Sequence, residues 1–318
     1  MFDPILVPLD GSQLAECVLP HAVAIARSFD AEITLLHVLE KNQASTSAQT
    51  FDHLNWQIHK TQAALYLEKT KMSIQASELQ ARTIVLEGLV AEEITKYAQN
   101  QGMKLIILSS HGHSGLTQWG ISSVTQKTVL SAPTSVFIVR AHQCDSQSLH
   151  SLYRRILVPL DGSQRAENVL PIITLFAQFH RAQIHLVQVV QTPEMARHLP
   201  PVSEDIDLSN RIVARNYEEA QRYLEKIKTR SYLEGIPVQT HLVTGENAAV
   251  ELHQVVEQKQ IDMVALSAHG YSGNRDWPYG SMANNFILYG KVPLLVVQDL
   301  PARHVSASLE MVSREHAG

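Results

Sequence analysis

The sequence predicts an α/β protein built from two tandem doubly wound domains, each a five-stranded parallel sheet flanked by helices. Three observations carry that expectation. First, Ile5-Leu-Val-Pro-Leu-Asp-Gly-Ser-Gln13 returns without a gap as Ile156-Leu-Val-Pro-Leu-Asp-Gly-Ser-Gln164, and Ala15-Glu16 and Leu19-Pro20 match Ala166-Glu167 and Leu170-Pro171. Identity of that length marks a duplicated unit. Second, each copy alternates short apolar runs with helical patterns, and continuous apolar runs belong to parallel strands covered on both faces. Third, 318 residues corresponds to about two domains.

Each unit opens with a short strand, Pro4 to Leu9 or Arg155 to Leu160, followed by an Asp-Gly-Ser turn and a helical pattern to about Phe29 or Phe179. Second strands follow at Ile33 to Val38 and Ile184 to Val189. Polar linkers come next, Lys41 to Phe51 and Gln191 to Asn210, the latter rich in proline and acid. Apolar residues at three- and four-residue spacing predict long helices over Asn55 to Glu78 and Ile212 to Glu234. Third strands (Arg82 to Leu86; Val238 to Val243), helices (Ala91 to Asn100; Ala248 to Gln258) and fourth strands (Lys104 to Leu108; Asp262 to Leu266) complete the alternation. A glycine-bearing loop, a short helix and a last strand (Ser135 to Val139; Leu294 to Val297) close each unit. The units join through a polar linker, Ala141 to Tyr153, and a polar tail follows Leu300.

Composition narrows the function. Hydrophobic residues make up 45% and charged residues 18%, enough for a sizeable core. A net charge of −5 argues against general affinity for nucleic acid or acidic membranes. The two cysteines, Cys17 and Cys144, suffice for neither a disulfide framework nor a tetrahedral zinc site. No apolar run reaches the roughly 18 residues of a membrane span, and the first residues lack the basic region of a signal peptide. A cytoplasmic location is expected.

Ligands of open parallel sheets sit beyond the carboxyl ends of the strands, where strand order reverses. Two loops lie there. Asp10 and Asp161, the latter behind Pro159 and Leu160, follow strand one. A carboxylate there can accept from a ribose hydroxyl or cap the next helix, and position alone leaves both open. The loop after strand four reads Ser267-Ala-His-Gly-Tyr-Ser-Gly-Asn-Arg-Asp-Trp-Pro-Tyr-Gly-Ser281. Its glycines Gly270, Gly273 and Gly280 allow close approach of backbone to a phosphate, and Ser281 and Met282 begin a helix with free N–H groups. The first copy keeps Gly112 but carries Ser122 where the second has Gly280, with Ser123 aligned to Ser281. Ser123-Val-Thr-Gln126 is also a capping-box pattern, which accounts for these serines without a ligand.

No Gly-Lys-Ser/Thr follows the glycines, so the loop is not a P-loop. It lies after the fourth strand, whereas the dinucleotide fingerprint belongs to the first βα turn. His111, His113 and His269 read as hydrogen-bonded loop residues, because two ring ligands without a carboxylate or thiolate cluster make a poor metal site. Trp119 and Trp277 read as packing anchors, Arg275 and Asp276 as a solvated pair, and Cys17 as a structural thiol. No nucleophile–base arrangement stands out. The residues favour binding over catalysis.

Taken together, this pattern resembles the universal stress protein family in its tandem form, over both halves almost end to end. Nucleotide-binding members carry Gly-x2-Gly-x9-Gly-Ser/Thr together with the aspartate after strand one. Here the second half gives Ser267-x2-Gly270-x9-Gly280-Ser281 and the first half Ser109-x2-Gly112-x9-Ser122-Ser123. The resemblance implies an adenine nucleotide alpha hydrolase-like fold, with domains over 1–140 (degenerate loop) and 152–299 (near-complete loop). It implies ATP, with Mg2+ as a companion. Asp161 and Gly270 would hold the ribose, Val189 backbone the adenine, and Gly280, Ser281 and Met282 the phosphates. The first-half equivalents are Asp10, Val38, Gly112, Ser122, Ser123 and Val124. Members pair through their last strands, so an intramolecular pseudo-dimer is implied, and further dimerisation of chains stays open. The expected function is a nucleotide-dependent stress-response sensor or adaptor with an unnamed protein partner and little or no hydrolysis. The alternatives are a weak ATPase or autophosphorylating protein with Ser281 or a nearby loop hydroxyl as acceptor, and a scaffold that binds no nucleotide.

Overall fold

The structure is a computed structural model and describes residues 1–40, 49–113, 115, 120–141, 153–193, 203–230, 233–271 and 277–299. The first half runs β1 (Ile5–Pro8), α1 (Gln13–Glu16), α2 (Val18–Phe29), β2 (Ile33–Leu39), α3 (Gln49–Gln75), β3 (Ala81–Glu87), α4 (Val90–Asn100), β4 (Leu105–Ser109), α5 (Ser123–Ser131) and β5 (Ser135–Val139). The second repeats it as β6 (Arg155–Pro159), α6 (Gln164–Glu167), α7 (Leu170–His180), β7 (Gln183–Gln191), α8 (Ser203–Lys228), β8 (Val238–Gly245), α9 (Ala248–Gln258), β9 (Met263–Ser267), α10 (Ser281–Tyr289) and β10 (Leu294–Val297).

The expectation of two five-stranded parallel sheets is corrected by the strand pairing. One mixed sheet of ten strands runs β3-β2-β1-β4-β5-β10-β9-β6-β7-β8. The halves merge because β5 and β10 pair antiparallel, with Leu294 opposite Ile138, Leu295 opposite Phe137 and Val296 opposite Val136. Every residue of both strands is buried. As edges they would present unpaired N–H and C=O groups and apolar side chains to water, so each satisfies the other.

Helices cover the two faces. Core residues of α2, α3, α7 and α8 share one cluster, and those of α4, α5, α9 and α10 share the other. Both clusters draw on both halves, so the core does not stop at the repeat boundary.

Two local expectations are also revised. The first helix of each half breaks after a single turn, into α1–α2 and α6–α7. Pro20 and Pro171 explain the break: within one continuous helix each would clash with the carbonyl of Glu16 or Glu167, whereas in the first turn of a new helix a proline is tolerated. The second polar linker is shorter than expected, since α8 begins at Ser203, with Glu204 and Asp205 in its first turn. Acidic side chains suit that positive helix end.

Between the halves α2 and α7 meet through rings. Phe29 stacks on Phe176 at 6.2 Å, Tyr153 lies 5.0 Å from Phe176, and His180 lies 4.4 Å from it. His21 Nδ1 bonds the Tyr153 hydroxyl, and His180 Nε2 lies 3.2 Å from Ser28 Oγ. Burial lowers both His21 and His180 from 6.5 to about 4. The unfolded chain therefore takes up these protons at higher pH than the folded one. Their contribution to stability is complete above about 6.5 and is lost as pH falls towards 4. Urea midpoints should drop from neutral pH to about pH 5, and His180→Phe, which copies the first-half residue Phe29, should flatten the drop. An unaltered slope in the variant would refute the assignment to this interface.

Candidate functional site

The second half reverses its strand order between β9 and β6. At the carboxyl ends of these strands and of β7 lies a cavity of about 750 Å³, within the range of small-molecule sites. Pro159, Leu160, Asp161, Val189, Gly270, Gly280, Ser281 and Met282 all line it. Gly273 lies outside the described residues, as do Arg275, Asp276, Trp119 and Cys144.

An aspartate–glycine clasp forms the floor. Asp161 Oδ1 accepts from the Ser163 N–H at 3.0 Å and Oδ2 from the Tyr271 N–H at 2.5 Å. Gly162 makes the intervening turn at φ +85°, a conformation that favours glycine. Gly270 is pressed against the carboxylate, and an added β-carbon would lie 2.1 Å from Oδ2. The first half repeats the clasp. Asp10 Oδ1 accepts from the Ser12 N–H at 2.9 Å, Oδ2 accepts from the His113 N–H at 2.6 Å, and a β-carbon on Gly112 would lie 2.2 Å away. Helix capping falls instead to Ser12 and Ser163, whose hydroxyls accept from the N–H groups of Ala15 and Ala166. The aspartates thus bind the loop after the fourth strand rather than a helix end.

The halves differ at the next helix. Gly280 is the N-cap of α10 and supplies no side-chain hydrogen bond. Ser122 is the N-cap of α5, one residue before the Ser123 of the capping-box reading. Its Oγ accepts from the Thr125 N–H at 3.2 Å and lies 2.9 Å from Thr125 Oγ1. One helix start is closed by its own serine and the other is open. A β-carbon at Gly280 would meet nothing nearer than 3.5 Å, so crowding within the protein does not require this glycine. Ser123 and Val124 stand exposed in the first turn of α5, and Val38 lies half-buried near the end of β2.

Sequence reasoning missed one wall. Asn216, Glu219, Ala220 and Tyr223 of α8 line the cavity, at the spacing that puts residues on one helix face. A signal existed, since Tyr66-Leu-Glu-Lys69 returns as Tyr223-Leu-Glu-Lys226. The Tyr223 hydroxyl donates to Glu167 Oε1 at 3.0 Å. Burial, then Glu167, raises its pKa, so the phenol keeps its proton. Gln188 Oε1 and Ser267 Oγ, on lining residues, are buried without a hydrogen-bond partner among the described residues. Such atoms mark places where a ligand or water completes the bonding.

His269 is the other residue whose surroundings sequence did not foresee. Its Nε2 faces the Trp277 carbonyl at 2.7 Å and its Nδ1 faces Asp299 Oδ1 at 2.6 Å. Asp299 Oδ2 accepts from Arg165 Nε at 2.6 Å. Burial pushes the Asp299 carboxyl up, but hydrogen bonds from His269 and Arg165 outweigh it and hold the pKa below the ordinary value. The chain of contacts ties the loop to β10 and α6. Trp277 contributes its carbonyl, while its side chain is 49% exposed, so it is not a packing anchor. Among the described residues no group of three or more His, Cys, Asp or Glu is arranged to hold a metal. Gly270→Ala should displace Asp161 and lower stability by about 1–3 kcal/mol. A change within about 0.5 kcal/mol in urea unfolding would show that the clasp yields freely.

Comparison with known proteins matches residues 1–140 and 152–298 to the universal stress protein family. Universal stress protein YxiE of Bacillus subtilis is 32% identical over 149 residues, covering 44% of this chain and 100% of that protein. Universal stress protein MJ0531 of Methanocaldococcus jannaschii is 27% identical over 141 residues, 44% of this chain and 83% of that protein. Across the whole chain the fold is similar to a universal stress protein from Archaeoglobus fulgidus, with TM-score 0.62 and 18% identity over 94% of this chain and 99% of that one. A functionally unknown protein from Pseudomonas aeruginosa, PA1789, gives TM-score 0.64 and 16% identity over 98% of each chain.

Proposed function

The chain belongs to the universal stress protein family, and from that premise we propose that its second half binds an adenine nucleotide, ATP foremost, as a nucleotide-responsive adaptor. The observation that carries this reading is the uncapped start of α10, which opens on the cavity beside the Asp161–Gly270 clasp. A phosphate there would receive the N–H groups of Ser281 and Met282 and the positive end of the helix. Asp161 would take a ribose hydroxyl through its remaining lone pairs, and backbone at Val189 would face the base. Mg2+ would enter with the phosphates.

Turnover is expected to be slow. Both oxygens of Asp161 accept backbone N–H groups, both nitrogens of His269 are engaged, and Glu219 accepts from Arg215 at 3.1 Å. None of the three is poised to activate water. Among the described residues no helix is long and apolar enough to cross a membrane. Action in the cytoplasm, with a protein partner, belongs to the same proposal.

The first half keeps the clasp but closes its own helix with Ser122, so one nucleotide per chain is expected. The test exchanges the two caps. In calorimetric titrations the intact protein should take up one ATP, and Gly280→Ser should bind at least about tenfold more weakly, the scale of one hydrogen bond to a charged group. Ser122→Gly should add a second site. No uptake by the folded wild-type protein would overturn the nucleotide reading, and undiminished affinity in Gly280→Ser would remove α10 from it.

A further inference from the structure

The helix that opens on the cavity is held at its far end by the other half of the chain. Arg140, the residue after β5, is 1% exposed. Its Nη2 donates to the Phe286 carbonyl at 2.6 Å, and its Nη1 to the carbonyls of Ile287 at 3.1 Å and Gly120 at 3.4 Å. Among the described residues no carboxylate forms an ion pair with it. The buried cation rests instead on the C-terminal carbonyls of α10, where the helix carries its negative end. Gly120 closes against the same turn, and a β-carbon there would lie 1.9 Å from the Leu288 carbonyl oxygen.

The near end of the helix is also held. Tyr279, immediately before Gly280, is 2% exposed, and its hydroxyl donates to the Val129 carbonyl in α5 at 3.1 Å. First-half atoms therefore fix the segment from Tyr279 to Tyr289 on both sides. Among the described residues neither contact is repeated by the duplicate residue. The position matching Arg140 is Gln298, whose amide reaches Pro278 in its own half at 3.3 Å. The position matching Tyr279 is Ile121. The half that closed its own helix start thus grips the half that left its helix open.

We propose that Arg140 and Tyr279 are positioning residues for the second-half site, and that the first half is a mount aiming the N–H groups of α10 at the ligand's phosphate. The inference rests on the nucleotide reading above and deepens it. α10 is nine residues, about 13 Å at 1.5 Å per residue, and a cation seated on its negative end leaves the positive end to the ligand. Its effect should depend on phosphate. A residue needed only for folding would weaken all ligands alike.

The test uses the full chain, with ATP and adenosine as paired probes. Arg140→Met should weaken ATP about tenfold, the scale of a charge at a helix end, while adenosine stays within about twofold. Equal losses for both ligands, or unchanged ATP affinity, would overturn the proposal. Tyr279→Phe deletes one hydroxyl and should give a smaller loss with the same selectivity, which keeps the test valid where Arg140→Met does not fold. A second readout needs no ligand. Amide exchange at Asn284, Asn285 and Phe286, where the hydrogen-bonded part of α10 begins with the Asn284 N–H on the Gly280 carbonyl, should quicken in both variants while β4 stays protected, and unchanged exchange would equally sink the mount. Wild-type protein that binds neither probe would refute the nucleotide reading, leaving the exchange experiment to judge the mount alone.

Discussion

The antiparallel pairing of β5 with β10 is the constraint on which the rest of the molecule depends. Both strands are short, apolar but for Ser135, and buried throughout, so neither could face water as an edge. Their union makes the sheet continuous and sets the helices of the two halves against each other. It brings Phe29 onto Phe176 on one face and carries Arg140 to the end of α10 on the other. A polar contact extends the seam, where the Gln298 N–H donates to Ser135 Oγ at 3.1 Å. The arrangement of the cavity wall follows from the seam, because α10 lies directly beside it.

Within this frame the two copies have kept one device and changed another. The aspartate–glycine clasp is nearly superposable in its distances, 2.2 Å beside Gly112 and 2.1 Å beside Gly270 for an added β-carbon. It is a steric requirement of the loop in both halves. The helix start beyond it differs in its cap. Ser122 fills the bonding of Thr125, while Gly280 leaves the equivalent group at Ala283 without a capping side chain. The hydroxymethyl group of one serine thus separates a helix start capped by its own side chain from one without a side-chain cap.

Much of the fold was legible because duplication gave every element a second witness. The strands, the helices α4 and α9 and the position of both loops followed from periodicity and repeat. The breaks after Glu16 and Glu167 were harder to read, since apolar spacing runs through them and only the prolines betray them. Ser122 and Ser123 could each have been the cap, and backbone geometry rather than residue type decides between them. Asn216 and Glu219 were invisible because the apolar face of α8 already explains that helix. The chain of contacts running from His269 through Asp299 to Arg165 escaped for another reason: Arg165 and Asp299 stand 134 positions apart, and nothing local announces their meeting. The joining of the sheets was unreadable from strand patterns, since a buried edge strand and a buried central strand have the same composition.

The seam between β5 and β10 has a further consequence in mass action. Two separate chains joined by such strands would associate only above some concentration, and each would present the same residues to the other. Here both partners belong to one polypeptide, so the effective concentration of one for the other is set by the tether and does not change on dilution. Symmetry is no longer enforced either. A substitution such as arginine at 140 opposite glutamine at 298 alters one side alone, whereas in a dimer of identical chains it would appear twice. Covalent linkage thus lets one copy specialise as support and the other as receptor.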